Sequence, residues 1–195
     1  MSDFLPWSER SKRWEPHAVK LRGLVPCKRG VPFDPWKLAP HVGLYVIDCD
    51  FPGLSQEEKA HMLGRASSHW SGGVFAKPLP DGRRICMINP SHPHRRNKIT
   101  LMEEISHCHL RHTPTQLTKK GDARFRDFNK QMEEEAYGVG AAVLLPWSLF
   151  FPLLNGGFTT DELAGEFDVT PELVTYRTKI CGASALYAAR QRKRA

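Results

Sequence analysis

Apolar residues along the chain fall into short, strand-like runs in the first half and longer helix-spaced runs in the second. Val42-Gly43-Leu44-Tyr45-Val46-Ile47 combines β-branched and aromatic residues in a brief run and predicts a buried strand. Trp70 to Leu79 and Arg83 to Asn89 are two more strand-like segments. They meet at Pro80-Asp81-Gly82, a hairpin signal. Ser8 to Arg22 has the charge of a surface helix that Pro16 would kink or restart. Pro32-Phe33-Asp34-Pro35 predicts a turn into a short helix holding Trp36 and Leu38. Ser55 with Glu58 three residues later is a capping box, so a helix begins there. Ile99 to His112 reads as an amphipathic helix whose core face is Ile99, Met102, Ser106 and Leu110. The following segment, TPTQLTKKGDARFRDFNK, is polar and basic without a clear period and predicts a long excursion between packed helices.

Met132 to Pro146 (MEEEAYGVGAAVLLP) predicts a helix whose small face, Ala136, Gly140 and Ala141, allows close packing on another helix. After the apolar stretch Trp147 to Leu154, Asn155-Gly156-Gly157 breaks the chain. Thr159 to Gly182 then has the spacings of a helix-turn-helix: Leu163-Ala164, a turn at Asp168-Val169, Thr170 as cap with Pro171 at the first helical position, and Val174. The pattern predicts an α+β fold, a small antiparallel sheet packed on helices, with one domain over 1–154 and a helix-turn-helix-like segment with a basic tail over 155–195.

Composition narrows the class. No run approaches the roughly eighteen apolar residues of a membrane helix, and the start lacks the apolar run of a secretory signal, so a cytoplasmic protein is expected. Five scattered cysteines (Cys27, Cys49, Cys86, Cys108, Cys181), none spaced C-x-x-C, argue against a disulfide framework or zinc knuckle. Cys108, although next to His107, points to a different helix face and reads as a packing residue. The net charge of +7 permits nucleic-acid contact, but the basic residues are dispersed. Their densest clusters are Arg95-Arg96-Lys98, Lys119-Lys120-Arg124-Arg126 and Arg190-Arg192-Lys193-Arg194, each readable as solvated surface or a flexible end. The second helix of the C-terminal pair offers Glu172, Thr175, Tyr176 and Lys179. An acid at its start meets phosphates poorly, which favours a packed pair over DNA reading.

The chemistry concentrates in Thr100-Leu101-Met102-Glu103-Glu104-Ile105-Ser106-His107. Glu103 and His107 lie four apart, on one helix face, and can aim at one point. This is the logic of H-E-x-x-H zinc sites with Glu in the first ligand position, and Glu104 then stands where the general base belongs. Glu133, Glu134 and Glu135 on the next helix are candidates for a third ligand. His92 and His94, in a proline-rich loop beside Arg95 and Arg96, are weaker candidates.

With the C-terminal helices, these stretches resemble the ImmA/IrrE family of metallo-endopeptidases: a T-L-x-H-E-x-x-H helix, a Glu three residues before Ala in a helix ending A-A-x-L-L-x-P, then a helix-turn-helix-like unit. The resemblance covers roughly the last hundred residues closely, departs at Glu103, and implies a zincin-like fold with Glu133 as third ligand. It further implies a divalent metal, Zn²⁺ or, with two carboxylate ligands, the harder Mn²⁺. Glu104 is its implied base, and a helix-turn-helix repressor its implied protein partner. Two other readings stay open: a peptidase-like scaffold that binds a repressor or antitoxin-like partner without catalysis, and a DNA-binding regulator.

Overall fold

Polar caps set where most of the helices begin. The computed structural model describes residues 5–28, 30–48, 54–112 and 129–194, with backbone alone at 117–120 and 123–126. The Ser8 side chain accepts from the Ser11 N–H (3.1 Å) and opens α1 (Glu9–Arg22), with Glu9 in its first turn and Lys20 and Arg22 in its last, both matched to the helix dipole. α1 runs on through Pro16 instead of restarting there, because Trp14, Ala18 and Leu21 are anchored in the core on both sides of it. Asp34 caps α2 (Pro35–Leu38), and a 3-10 turn over Ala39–Val42 leads into β1 (Leu44–Ile47). The strand is shorter than the apolar run, and its Tyr45 is exposed.

Ser55 and Glu58 form the expected capping box of α3 (Gln56–Leu63). β2 (Gly72–Val74) and β3 (Arg84–Ile88) pair antiparallel across a turn closed by the Gly82 N–H on the Leu79 carbonyl (2.9 Å). β1 lies beside β3 in parallel, giving the order β1-β3-β2. The sheet is therefore mixed, not antiparallel as expected: the chain crosses over through α3 and β2 before β3 returns in the direction of β1.

α4 (His94–Leu110) follows directly. Beyond it, β4 (Leu117–Lys120) and β5 (Ala123–Arg126) pair antiparallel where a structureless excursion was expected. The basic cluster Lys119-Lys120-Arg124-Arg126 sits on these strands; its side chains, like Cys49, lie outside the described residues. Asn129 caps α5 (Lys130–Leu144), and Pro146 starts α6 (Trp147–Asn155). α7 (Thr160–Phe167) begins with a second capping box, Thr159 with Glu162, and α8 (Pro171–Ile180) begins with the Thr170 cap. α9 (Ser184–Arg194) turns the basic tail into a helix. It is tied down by Arg190 on the Asn155 side chain (2.8 Å) and Arg194 on Glu162 (2.7 Å), so half of that cluster is engaged rather than free.

α5 is the centre of the packing, with α1 on one side and α4 on the other. Small residues make this possible. A Cβ at Gly138 would stand 2.4 Å from the Trp14 ring of α1, and one at Gly140 would stand 3.4 Å from the Met102 backbone of α4. The core continues from Trp14, Leu101, Ile105 and Val139 through Trp147 and Phe150 to Leu163, Leu173 and Val174. A buried arginine bridges these parts. Arg177 of α8 donates to the Leu145 carbonyl (3.0 Å), to the Ser11 hydroxyl (3.0 Å) and to Glu15. The guanidinium is fully buried, so losing Glu15 would strand a charge at a cost of ~3–5 kcal/mol. Among the described residues, no single helix is long and apolar enough to cross a membrane.

Candidate metal centre

On α4 the buried face is Leu101, Met102, Ile105 and Ser106, which meets the sheet on one side and α5 on the other. Met102 and Ser106 belong to the expected core face, whereas Ile99 and Leu110 are only partly covered. Glu103 and His107 flank this face, half-buried and one turn apart. Glu133 comes from the first turn of α5, where the helix N-terminus favours a negative charge. One ligand atom from each of Glu103, His107 and Glu133 lies within 4.8 Å of the other two.

His107 Nε2 stands 3.4 Å from Glu133 Oε2. Donors about 2.0–2.2 Å from a tetrahedral ion are about 3.3–3.6 Å apart, so this edge already has the span that a small divalent cation requires. One imidazole and two carboxylates suit Zn²⁺ or Mn²⁺ in donor type as well. The donor types and the His107–Glu133 edge thus fit a metal.

The three successive glutamates of α5 take three directions. Glu133 faces His107, Glu134 pairs with Arg10 of α1 (3.3 Å), and Glu135 approaches His112 Nε2 (3.3 Å). Glu104, about a quarter-turn round from Glu103, is half-buried toward the sheet. Burial, and secondarily the Glu104 charge, push the Cys86 thiol well above its usual range. The Cys108 thiol is also raised, by burial first, and it accepts from Arg84 Nη2 at 3.2 Å. A thiol held in its neutral form is a poor ligand or nucleophile, in keeping with a packing role.

Neither loop histidine joins the group. His94 stacks on Trp36 (centroids 5.0 Å apart, 14° between planes) and stands 4.0 Å from Asp168. Asp168 also collects Arg95 (3.0 Å) and Lys98 (3.2 Å), and the Lys98 side chain is only 3% exposed. The Arg95-Arg96-Lys98 cluster is therefore partly internal: Lys98 fastens the end of α7 to α4 through the Phe167 and Asp168 carbonyls. On α8, Glu172, Thr175 and Lys179 are exposed as expected, but Tyr176 packs edge-on against Tyr137 of α5 (4.7 Å).

His112 was not among the expected site residues. Its Nδ1 lies 3.0 Å from His107 Nδ1, on the side of that ring away from Glu133. Helical spacing could not reveal it, since residues five apart do not share a face; the contact arises from the way α4 ends.

A family model of the IrrE N-terminal-like domain matches residues 56–179, well over half of the chain and all of α4 and α5. No curated protein and no solved structure matches the chain. The peptidases of that family are metal-dependent, which agrees with a Glu/His/Glu group of this geometry. On this match the chain belongs to the IrrE N-terminal-like peptidase family.

Proposed function

We propose that the protein is a metal-dependent endopeptidase in which Glu103, His107 and Glu133 hold a divalent cation and Glu104 is the general base. The observation that carries this reading is the convergence of three ligand atoms from two helices within 4.8 Å, with Glu104 adjacent on α4. A divalent cation supplies Lewis acidity to a peptide carbonyl and acidifies water. Glu104 takes the proton of the attacking water and passes it to the leaving amine. Glu103 is read as a variant of the family's first ligand His. Its extra negative charge weakens the Lewis acid and tilts the preference from Zn²⁺ toward Mn²⁺.

The substrate is a protein segment lying extended along β2. That strand is an edge of the sheet, and its Gly72 sits against Thr100 of α4, so an added strand would run beside the site. β3 lies between β1 and β2 and offers no such edge. The partner class is a helix-turn-helix repressor, and the α7–α8 pair is read as a helix-turn-helix-like accessory. The scaffold alternative needs neither a held metal nor a base. Glu104→Gln should keep the fold and its metal content while cleavage of a candidate repressor is lost. A metal-loaded Glu104→Gln protein that cleaves and relieves repression as well as the unmodified one would refute the peptidase reading.

A further inference from the structure

The end of α4 has a specific geometry. Arg111 adopts the left-handed conformation (φ 58°), its N–H bonds the Cys108 carbonyl (3.2 Å), and the His112 N–H bonds the His107 carbonyl (3.0 Å). This is the Schellman arrangement, which folds the second residue past the helix back over the residue five before it. The contact that usually joins two apolar side chains there is made here by two imidazoles, 5.0 Å between centroids. The His112 side chain is 8% exposed, and its far nitrogen reaches Glu135 Oε2 of α5 at 3.3 Å.

Proton placement follows from these contacts when both rings are neutral. His112 Nε2 and Glu135 Oε2 are in hydrogen-bond geometry, whereas His107 Nε2 and Glu133 Oε2 meet at ion-pair distance; a carboxylate only accepts, so the proton of His112 sits on Nε2 and points at Glu135. Nδ1 of His112 is then a bare acceptor. The facing His107 Nδ1, 3.0 Å away, must donate to it. A neutral imidazole carries one proton, which makes His107 Nε2 an acceptor on the side where Glu133 Oε2 stands 3.4 Å off. Two acceptors facing each other across that gap are stabilised by a cation between them.

We propose that His112 and Glu135 are positioning residues: together they lock His107 in the Nδ1–H tautomer and aim its Nε2 at the metal point. The proposal rests on the site reading given above and adds to it the pair that prepares the imidazole. Outer partners of this kind fix the orientation of a ligand His and raise its basicity; their loss costs roughly 10- to 100-fold in metal affinity. The need is greater here, because His107 is the single imidazole among two carboxylates.

Two measurements on the full chain test this. Long-range ¹H–¹⁵N correlation of the imidazoles in metal-free protein, near pH 8 where ordinary histidines are neutral, reports each tautomer directly. His107 should be Nδ1–H and His112 Nε2–H, and Glu135→Leu should release His112 into a mixture. Zn²⁺ affinity by chelator competition is the second. His112→Phe should bind roughly 10- to 100-fold more weakly. His112→Asn, whose amide oxygen stands near the former Nδ1 and still accepts from His107, should stay within about threefold of the unmodified protein. An Nε2–H tautomer at His107, or equal affinities for the unmodified and Phe forms, overturns the relay. So does an Asn variant as weak as the Phe variant, since packing alone would then account for the loss. If the unmodified protein takes up neither Zn²⁺ nor Mn²⁺ in a His107-dependent way, the peptidase reading fails separately, and the metal-free tautomer still decides for or against the relay.

Discussion

Replacing Gly138 by alanine tests how the helices that carry the site are spaced. The new Cβ would lie 2.4 Å from Cη2 and Cζ3 of Trp14 and 2.5 Å from Cε3. Carbon atoms in favourable contact sit about 3.5–4.0 Å apart, so about 1 Å must be found against three aromatic atoms at once. The ring cannot swing into solvent without losing its own burial, as Trp14 is 5% exposed. α1 must therefore lift away from α5. Overpacking of this kind costs about 1–3 kcal/mol, and the severity of the clash places it at the upper end. Alanine returns about 1 kcal/mol through its better helix propensity. The net loss is then about 1–2 kcal/mol, or about 2–8 °C in Tm at the roughly 2–4 °C per kcal/mol of a domain this size. Gly140→Ala is the matched control. It gains the same propensity, but its nearest contacts, in Met102, begin at 3.4 Å, so it should be near neutral. The assay is urea and thermal unfolding of both variants, alone and with Trp14→Leu, a smaller side chain that makes room for the Cβ. If Gly138→Ala is as stable as Gly140→Ala, or its cost persists unchanged beside Trp14→Leu, the close-packing argument is wrong.

Three further outcomes are expected. His107→Ala and Glu133→Ala should lose bound metal, whereas Glu134→Ala, which removes only an exposed pair with Arg10, should retain it; elemental analysis decides, and the reverse order for the two glutamates would disprove the assignment on α5. Glu103→His should raise the ratio of Zn²⁺ to Mn²⁺ affinity by about tenfold or more, because an imidazole replaces a hard anionic ligand, and an unchanged ratio in chelator competition would count against Glu103 as a ligand. Burial alone would raise the Asp168 carboxyl, but the hydrogen bonds from Arg95 and Lys98 outweigh it and hold the pKa below the ordinary carboxylate value. A depressed folded pKa stabilises above the unfolded value and the effect is lost as pH falls through the folded one. The gap in urea midpoint between the unmodified protein and Asp168→Asn should therefore be full near pH 6 and close below about pH 4; a gap constant down to pH 3 would contradict this.

Much of the layout was legible because short-range signals and the final packing agree. Ser55 with Glu58, Thr159 with Glu162, and Thr170 before Pro171 each start a helix where the pattern places one. The grouping of Glu103, His107 and Glu133 was readable because an i, i+4 pair needs only a neighbouring helix to add a third group, and small residues on α5 bring that helix close. What stayed hidden depends on contacts between distant segments or on unusual backbone. Lys98 looks like surface until the end of α7 supplies carbonyls for its ammonium. The parallel partnership of β1 with β3 leaves no local mark. His112 reaches His107 only because Arg111, with neither the freedom of glycine nor the short amide of asparagine, adopts the left-handed cap.

The Arg177 bridge also has a consequence for biosynthesis. Ser11 and Glu15 leave the ribosome well before the guanidinium that satisfies them, which lies more than 160 residues later, as does the Cys181 carbonyl that receives the Trp7 N–H. At about 5–20 residues per second, the first helix waits on the order of ten seconds or longer for these partners. During that interval the apolar face of Trp14, Ala18 and Leu21 lacks its finished setting, and a nascent chain stalled before residue 177 holds an acidic side chain with no counter-ion at its intended place. A released chain truncated just before residue 177 should accordingly be far more sensitive to protease than the full chain, in which Arg177 and Cys181 reach α1 and the residue before its cap.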